Sequence, residues 1–406
     1  MAPEPWTDPD PDPDSDPDPD PDPDAVIDGE AEPGASVDAA TGEVRRAANG
    51  AGSLAAGASA GLANGGDDEP DGAGGADPAD PAAPGFGQAE VLNPAQADVL
   101  ALLGAKPSER PQFDAELRHH LRAELEAGLA PILGQLPDET QLFVSKYPLS
   151  QIHGCEDKFL AERAEAFSWT PATARGSVSH KAVELSLHWD RDPIPLELVD
   201  EAVARLSFGS GSLADWLQTA STVERAEVRA QANERVAKFL ECFPPLKPAW
   251  RPVTESSAKV ELFDTRIVLQ GRVDLTLGHT RGTTANKVLI DFKSGGFSPA
   301  HVDDLRFYAL LETIRMGTPP RLVATYYLDS GRPFPESISE PVLDAALHRT
   351  VDGARRMADL LHGDAVPVRR SGPSCRWCPL LATCPDGQAW LRGTDDELDH
   401  VDDGDV

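Results

Sequence analysis

The stretch that decides the fold is residues 271–296, which reads GRVDLTLGHTRGTTANKVLIDFKSGG. Its GRVD and DFK segments each end a run of alternating apolar residues, and the two runs predict a β-hairpin. We expect Asp274, Asp291 and Lys293 to meet at the tip of this hairpin. Two carboxylates can hold a hard cation through oxygen, and an ammonium can steady a water or a developing phosphate charge. Metal-assisted phosphodiester hydrolysis requires this combination.

An aspartate at a strand end is often an ordinary turn residue, so the trio needs further support. Asp291 follows the apolar run Val288–Ile290, where a charge is costly unless it is coordinated. Lys293 has the same parity as Asp291 along the strand, which places both side chains on one face. The Ser-Gly-Gly segment at 294–296 then lets the backbone pass close to a ligand. These features favour a functional site.

The pattern around this hairpin predicts one domain with a mixed α/β core. Three strands form an antiparallel meander at Lys259–Phe263, Arg266–Leu277 and Lys287–Phe292, and a fourth lies at Leu322–Leu328. Helices are predicted at Ala95–Leu103, Phe113–Leu133, Ser150–Arg163, Ser177–Leu187, Ala202–Cys242 (interrupted near 209–211), His301–Met316 and Glu340–His362. The core order is therefore helix, three strands, helix, strand, helix, with helical segments before it.

Both ends of the chain are strongly acidic. Residues 1–90 hold 22 acidic side chains and two arginines, a net charge of −20, and Pro9–Asp24 is close to a pure Asp-Pro repeat. Such a segment cannot bury enough apolar surface to offset its ordering entropy, and we predict disorder over residues 1–93. Seven acids without Lys or Arg in the last 12 residues predict a second disordered tail at 394–406.

The globular domain is predicted at residues 94–393, and it is close to neutral. Residues 91–394 hold 39 acidic and 34 basic side chains, a net charge of −5 against −32 for the whole chain. The overall charge is therefore mostly a property of the tails, and a nucleic-acid partner held by local phosphate contacts remains open. No basic segment followed by an apolar one opens the chain, and no stretch approaches the ~18 apolar residues of a membrane span. We expect a cytoplasmic protein.

His180 and Glu184 lie one turn apart on one face of a predicted helix. A lone histidine on a helix is more often a satisfied core residue than a ligand, and Glu184 is either its orienting partner or a solvated acid. Asp304 and Tyr308 lie one turn apart on the helix after the hairpin. From the residues alone, Tyr308 is a core side chain.

The five cysteines predict thiols or metal ligands, because a chain without a secretory signal has little use for a disulfide framework. Cys375, Cys378 and Cys384 form a C-x2-C-x5-C segment, which suits zinc, redox chemistry or an iron–sulfur cluster. A tetrahedral metal or a cubane cluster needs a fourth ligand. Cys155 is our candidate, and Cys242, which we interpret as a buried structural thiol, is its rival.

Together these motifs resemble the RecB-like branch of the PD-(D/E)XK nuclease superfamily. The resemblance extends to its iron–sulfur relatives: the AddB nuclease domain, exonuclease V and the CRISPR-associated adaptation nucleases. It covers residues 149–385, with His180 on a helix, GRVD ending at Asp274 and DFKSG starting at Asp291. It implies an α/β fold with a restriction-endonuclease-like core (helix, three-strand meander, helix, strand), helical insertions and a C-terminal cysteine-rich segment.

The resemblance also implies two bound groups. The ligands that it implies for Mg²⁺ or Mn²⁺ are His180, Asp274, Asp291 and the carbonyl of Phe292. Lys293 is implied as a catalytic residue beside the two aspartates. The ligands that it implies for a [4Fe–4S] cluster are Cys155, Cys375, Cys378 and Cys384.

Tyr308 matches the tyrosine of the family's Gln-x3-Tyr motif, which contacts DNA, and Asp304 occupies the glutamine position. We therefore expect both residues to bind substrate. Glu255, ahead of the first predicted core strand, resembles a further family glutamate.

These implications predict a metal-dependent DNA nuclease, most simply an exonuclease, that acts on single-stranded or duplex ends. Its setting would be DNA repair, recombination or foreign-DNA processing. The chain has no GxxxxGK[ST] motif, so a helicase or repair protein is a candidate partner. The alternative is a DNA-end-binding module that keeps the fold without the catalysis. Asp304 supports that alternative, and the intact set of metal ligands argues against it.

Overall fold

The structure is a computed structural model that describes residues 92–402, except 139, 166, 190, 281 and 364. The side chains of residues 394–402 are not described. The acidic segment predicted to be disordered at residues 1–93 lies outside the described residues, except for its last two positions.

In the described part of the chain, a six-stranded mixed sheet forms the centre of the molecule. Its strands are β1 (Leu142–Val144), β2 (Val253–Leu262), β3 (Ile267–Leu277), β4 (Val288–Lys293), β5 (Leu322–Tyr327) and β6 (Arg332–Ser337). The order is β1-β3-β4-β5-β6, and β2 pairs with the other edge of β3. The strands β2, β3 and β4 are antiparallel neighbours, as the predicted meander requires. A helical crossover makes β5 parallel to β4.

Helices cover both faces of the sheet. They are α1 (Pro94–Leu103), α2 (Leu117–Leu129), α3 (Lys146–Gly154), α4 (Glu156–Ala164), α5 (Pro171–Ser186), α6 (Pro195–Phe208), α7 (Ser212–Thr219), α8 (Thr222–Cys242), α9 (Ala300–Met316), α10 (Glu340–His362) and α11 (Pro385–Asp402). The helices α2, α9 and α10 pack with Leu289 and Val323 in one core layer. On the opposite face, α5 and α8 pack with Ile290 and Phe292. The result is the α/β architecture expected from the sequence.

The position of the candidate site within the hairpin differs from the prediction. The β3–β4 ladder pairs Leu277 with Val288 next to the connecting loop and ends at the pair Leu275 and Ile290. Asp274 and the end of β4 lie beyond this last pair, at the open end of the hairpin. The prediction of a site at the hairpin tip is therefore wrong, because β3 continues for three residues past Asp274 before the chain turns.

Two helix predictions are also corrected. A single helix was expected over Ser150–Arg163, but Cys155 is extended (φ −129°, ψ 114°) and separates α3 from α4. The helix predicted over Ser177–Leu187 starts earlier, since α5 begins at Pro171. Thr170 caps this helix by accepting a hydrogen bond from the Thr173 N–H at 3.3 Å, and proline suits the first helical position.

The remaining differences concern short or acidic segments. The three-residue β1 and the polar edge strand β6 were not predicted, because neither has a long apolar alternation. The region Ala202–Cys242 contains the end of α6 and the separate helices α7 and α8. The last helix, α11, extends to Asp402, and disorder of the acidic segment 394–406 stays a prediction. No described helix is both long and apolar enough to cross a membrane.

Candidate active site

A gap along one edge of β3 brings the candidate residues together. The strand β2 pairs with almost the whole length of β3, so β1 and β4 share the other edge. On that edge β1 reaches Leu269 and β4 begins at Leu275, which leaves residues 270–274 without a strand partner. The chain leaving β1 and the end of β4 both run into this gap. It therefore collects side chains that are far apart in the sequence.

Asp274 closes the β3–β4 ladder with its carboxylate. Its Oδ2 accepts a hydrogen bond from the Phe292 backbone N–H at 2.5 Å, in place of the next ladder bond. Its Oδ1 lies 3.4 Å from Nδ1 of His180. His180 belongs to α5, which packs on the sheet face opposite to α9. Burial raises the pKa of Asp274, His180 opposes this shift, and the carboxylate of Asp291 adds to it. The group is costly to ionise without a bound cation.

Asp291 is part of a buried row of alternating charges. Its Oδ1 lies 3.3 Å from Nζ of Lys146, and its Oδ2 lies 3.2 Å from Nζ of Lys293. The same Lys293 ammonium is 3.9 Å from Oδ2 of Asp304. Four charges of alternating sign thus stand in line in the gap. Each ammonium neutralises a carboxylate that would otherwise be costly to bury.

Lys146 was not identified from the sequence. It is the second residue after β1, and the strand places it in the gap beside Asp291. Its Nζ also lies 5.3 Å from the centre of the Tyr308 ring, a distance suited to a cation–π contact. The available signal was weak, since β1 is only three residues long. Its only signal in the sequence was its position two residues after a short apolar run.

Tyr308 has a packing role in the structure. Its side chain is 2% exposed, and a Cβ added to Gly271 would stand 2.3 Å from its ring. The glycine of the GRVD segment is therefore required by the close approach of this ring. A direct contact between Tyr308 and a substrate stays a prediction, whereas Asp304 faces Lys293 at the edge of the site.

A cavity beside the charge row provides an approach to it. It measures about 250 Å³, counted with its opening to solvent, and Lys146, Asp304 and Arg349 are among its lining residues. Lys293, Asp291 and Asp274 are themselves buried. The cavity therefore borders the site at Lys146 and Asp304, the two ends of the row.

Glu255 faces the same centre from β2. Its φ of 60° is unusual for a residue with a side chain, and it falls where β2 and β3 skip a pair between Ser256–Val273 and Thr254–Leu275. Burial raises the pKa of Glu255 to about 9, and the charge of Asp274 adds to the shift. Glu255 is therefore protonated at neutral pH. Backbone strain of this kind concentrates at functional sites.

Glu184 does not orient His180. Its carboxylate instead forms an ion pair with Lys181, with Oε2 of Glu184 2.6 Å from Nζ of Lys181. The ring of His180 packs edge-on against Phe292, with the two ring centres 6.1 Å apart.

The donor atoms suit a hard cation. Nε2 of His180 is buried without a hydrogen-bond partner among the residues that the structure describes, and Nδ1 of the same ring lies 3.4 Å from the Asp274 carboxylate. A divalent cation between such nitrogen and oxygen donors would satisfy them. The described residues contain no group of three or more His, Cys, Asp or Glu side chains already close enough to hold a metal. Ion binding would therefore require Asp291 to exchange an ammonium for the cation.

The four predicted cluster ligands line one cavity. Cys155, Cys375, Cys378 and Cys384 face a space of about 370 Å³, counted with its opening to solvent. Two of the sulfurs accept backbone hydrogen bonds: Gly372 N–H donates to Cys375 at 3.3 Å and Gly387 N–H to Cys384 at 3.4 Å. Hydrogen bonds to the ligating sulfurs are among the features that set the properties of iron–sulfur clusters. No three of these sulfurs, which all belong to described residues, are yet close enough to share a metal.

Cys242 lies elsewhere. A Cβ added to Gly331, in the turn between β5 and β6, would stand 2.7 Å from its sulfur, and burial raises the pKa of its thiol. Cys242 is not among the residues that line the cavity of the other four cysteines.

Comparison with known proteins gives one family. The model of the PD-(D/E)XK nuclease superfamily matches residues 144–385, from the end of β1 to the start of α11. No curated protein matches the chain.

Two solved structures are similar at low identity. A candidate exonuclease from Eubacterium rectale is 12% identical, with 69% of this chain and 93% of that chain covered and a TM-score of 0.37. Rai1 of Scheffersomyces stipitis, solved with 3′-NADP⁺ and calcium, is 11% identical, with 62% and 67% covered and a TM-score of 0.20. Both scores are low, so the assignment rests on the family model. With its restriction-endonuclease-like α/β core, this chain belongs to the PD-(D/E)XK nuclease superfamily.

Proposed function

We propose that the protein is a metal-dependent DNA exonuclease. The observation that carries the proposal is the meeting of Asp274, Asp291 and Lys293 with His180 in the gap of β3. DNA ends processed in repair, recombination or foreign-DNA degradation are the proposed substrate. The nuclease domain of this proposal spans residues 94–393, between two acidic segments, in a cytoplasmic protein that can work beside a helicase or another repair protein.

His180, Asp274, Asp291 and the carbonyl of Phe292 are the proposed ligands of Mg²⁺ or Mn²⁺. When bound, the cation would make water a stronger nucleophile and stabilise charge on the phosphate oxygens. Asp291 stands between two ammonium groups, and one of them would have to give up its place to the ion. Lys293, 3.2 Å from it, is placed to orient a water or to stabilise the charge that develops on the phosphate.

The competing function is a DNA-end-binding module without catalysis. Its support is Asp304, which faces Lys293 where the family has glutamine. An extra carboxylate beside the catalytic ammonium would repel a phosphate. The buried Nε2 of His180, which has no hydrogen-bond partner among the described residues, favours the enzyme, because a binding module has no need for such an atom beside two buried aspartates.

The [4Fe–4S] cluster is a second part of the proposal. The shared cavity of the four cysteines and the backbone bonds to two of their sulfurs support it. The cluster would join α4 to the segment before α11. These two parts already touch, since the Val368 N–H donates to Glu156 at 2.6 Å and Arg369 pairs with Asp157 at 2.7 Å.

Digestion of labelled DNA tests the proposed activity. The purified protein is given single-stranded DNA, blunt duplex and closed circular duplex, each with Mg²⁺ or Mn²⁺ and each with EDTA. We expect loss of nucleotides from the linear substrates, no cutting of the circle, and no reaction in EDTA. Cutting of the circle would make the enzyme an endonuclease. Binding of linear DNA without cleavage under every metal condition would favour the binding module.

A further inference from the structure

An exposed pair of phenylalanine rings lies beside the candidate active site. Phe297 is 62% exposed and Phe334 is 51% exposed, and their ring centres are 5.6 Å apart. Both rings rest on Tyr327, at 6.3 Å and 5.4 Å. Scattered exposed apolar side chains are ordinary, but two adjoining rings that are each more than half exposed are not. We call Phe297 and Phe334 the aromatic pair.

The base of the aromatic pair is held rigidly. Tyr327 is buried, and its hydroxyl lies 2.9 Å from Nδ1 of His301 on α9. The Ser298 backbone N–H donates to the same hydroxyl at 3.4 Å, which ties down the loop that carries Phe297. The rings are therefore presented on a fixed support.

The sheet register places the aromatic pair on the face of the catalytic residues. Asp291 on β4 is in register with Thr325 on β5, which is in register with Phe334 on β6. Lys293 is likewise in register with Tyr327. Residues in register on neighbouring strands point to the same face, and two strand spacings are about 10 Å. Phe334 therefore lies about 10 Å across the sheet from Asp291.

The segment that links the site to Phe297 is short and carries little side-chain bulk. Phe297 follows Lys293 by four residues, through Ser294, Gly295 and Gly296. No described atom lies within 4 Å of the position that a Cβ would take at either glycine. The two glycines therefore add no side-chain bulk to the segment that links Lys293 to Phe297.

The local charges suit a phosphate backbone. Arg332 is exposed and is in register with Tyr327. The nearby carboxylates Asp329 and Glu336 are each paired with an arginine, at 2.7 Å and 2.5 Å. Their charges are therefore balanced before a polyanion arrives.

We propose that Phe297 and Phe334 are a base-stacking platform for the unpaired nucleotides of a single-stranded DNA end that enters the active site. Stacking on an aromatic side chain requires a free base face, which a paired base inside a duplex does not offer. Every base has such a face, so the platform would accept any sequence. The platform rests on the proposed function and gives it a substrate class. It predicts that the enzyme takes single strands, or duplex ends whose last bases are unpaired.

Binding in EDTA tests the platform without any cleavage. The variants are Phe297→Ala, Phe334→Ala and the double variant, and the control is Phe208→Ala, which removes a 91% exposed phenylalanine at the end of α6. The probe is fluorescently labelled oligo-dT. Because stacking contributes ~1–3 kcal/mol per base, we expect each platform variant to raise the Kd about 5-fold to 150-fold. The Kd of Phe297→Trp should be close to that of the wild type, because tryptophan keeps an aromatic face, and the Kd of Phe208→Ala should equal that of the wild type.

An oligo-dT whose last three nucleotides are abasic makes the test specific to stacking. The wild type should bind it as weakly as the double variant binds intact oligo-dT, and the double variant should lose no further affinity. Equal losses on oligo-dT and on blunt duplex, or a double variant that binds oligo-dT like the wild type, would overturn the platform. So would a wild-type dimer that dissociates in the double variant during sedimentation, because a second copy of the chain would then cover the rings.

The two proposals fail separately. A wild type that cleaves no DNA but binds oligo-dT through the rings would remove the nuclease function and keep the platform. If the double variant cleaves single strands as fast as the wild type and binds oligo-dT equally well, the nuclease function stands and the platform is removed.

Discussion

At the residue scale, the site depends on a few close approaches that other side chains could not make. Gly271 is the clearest, because the Tyr308 ring occupies the space that a Cβ would need. The ring in turn lies under Lys146, which holds Asp291. A change at one glycine is therefore expected to reach Asp291, a proposed metal ligand, through two contacts.

Gly271→Ala should destabilise the protein and disturb the site together. Forcing a methyl group into a packed core costs about 1–3 kcal/mol. We expect a corresponding fall in the free energy of unfolding in urea, and weaker divalent-cation binding by calorimetry. Gly134→Ala, at a position where no described atom would meet the new Cβ, is the control. A Gly271→Ala protein as stable as the wild type would show that the Tyr308 ring moves aside freely.

Glu255 gives the site a pH dependence. Burial holds its folded-state pKa at about 9, above the ordinary value of 4.5, so the unfolded chain loses this proton first as the pH rises. The folded state binds more protons than the unfolded state between these two values, and the free energy of unfolding falls with rising pH in that window. Glu255→Gln should remove this part of the decline. Urea unfolding in EDTA at several pH values from 5 to 9 measures it, and parallel curves for the two proteins would show that Glu255 ionises normally.

At the element scale, the sequence largely predicted the strands near the site but not how these strands pair in the sheet. The alternation in residues 266–277 and the apolar run before Asp291 predicted β3 and β4, and glycine with proline predicted the end of α9. The gap along β3 was not predictable, because it depends on β1, a three-residue strand more than 100 residues away in the sequence. Lys146 enters the site only through that long-range pairing. The aromatic pair was also missed, because Phe334 lies on β6, a polar edge strand that the sequence pattern does not predict.

The cysteine segment offers a prediction at the same scale. If the four cysteines hold a [4Fe–4S] cluster, protein purified without oxygen should be brown and contain about four irons per chain. Cys378→Ser should lower the iron content, the melting temperature and the soluble yield, because the cluster would tie α4 to the end of the domain.

Cys242→Ser is the matched control, because this thiol lies beside Gly331 and away from the shared cavity. Its iron content should equal that of the wild type. One zinc and no iron would overturn the cluster and leave the nuclease proposal standing. Loss of metal in Cys242→Ser but not in Cys155→Ser would mean that the fourth ligand is wrong.

At the scale of the whole molecule, charge is divided between the domain and the acidic segment before it. Residues 1–90 contribute −20 of the total charge of −32. That charge repels DNA at low ionic strength, where screening is weak. We expect deletion of residues 1–90 to raise DNA affinity, or leave it level, at low salt, and to change little above physiological salt. Titration of labelled DNA at several salt concentrations measures this. A truncated protein that fails to fold would show that the segment belongs to the core.

The central claim is that Asp291 holds the metal while Lys293 acts on the reaction, and paired measurements on two variants test it. Calorimetric titration with Mn²⁺ and digestion of end-labelled DNA are run on Lys293→Ala, Asp291→Ala and the exposed-lysine control Lys259→Ala. Loss of a positioned acid, base or charge stabiliser typically slows catalysis by about 10²–10⁴-fold. Lys293→Ala should lose that much cleavage and keep its metal, Asp291→Ala should lose both, and Lys259→Ala should lose neither. Digestion at the wild-type rate by either site variant would contradict the account.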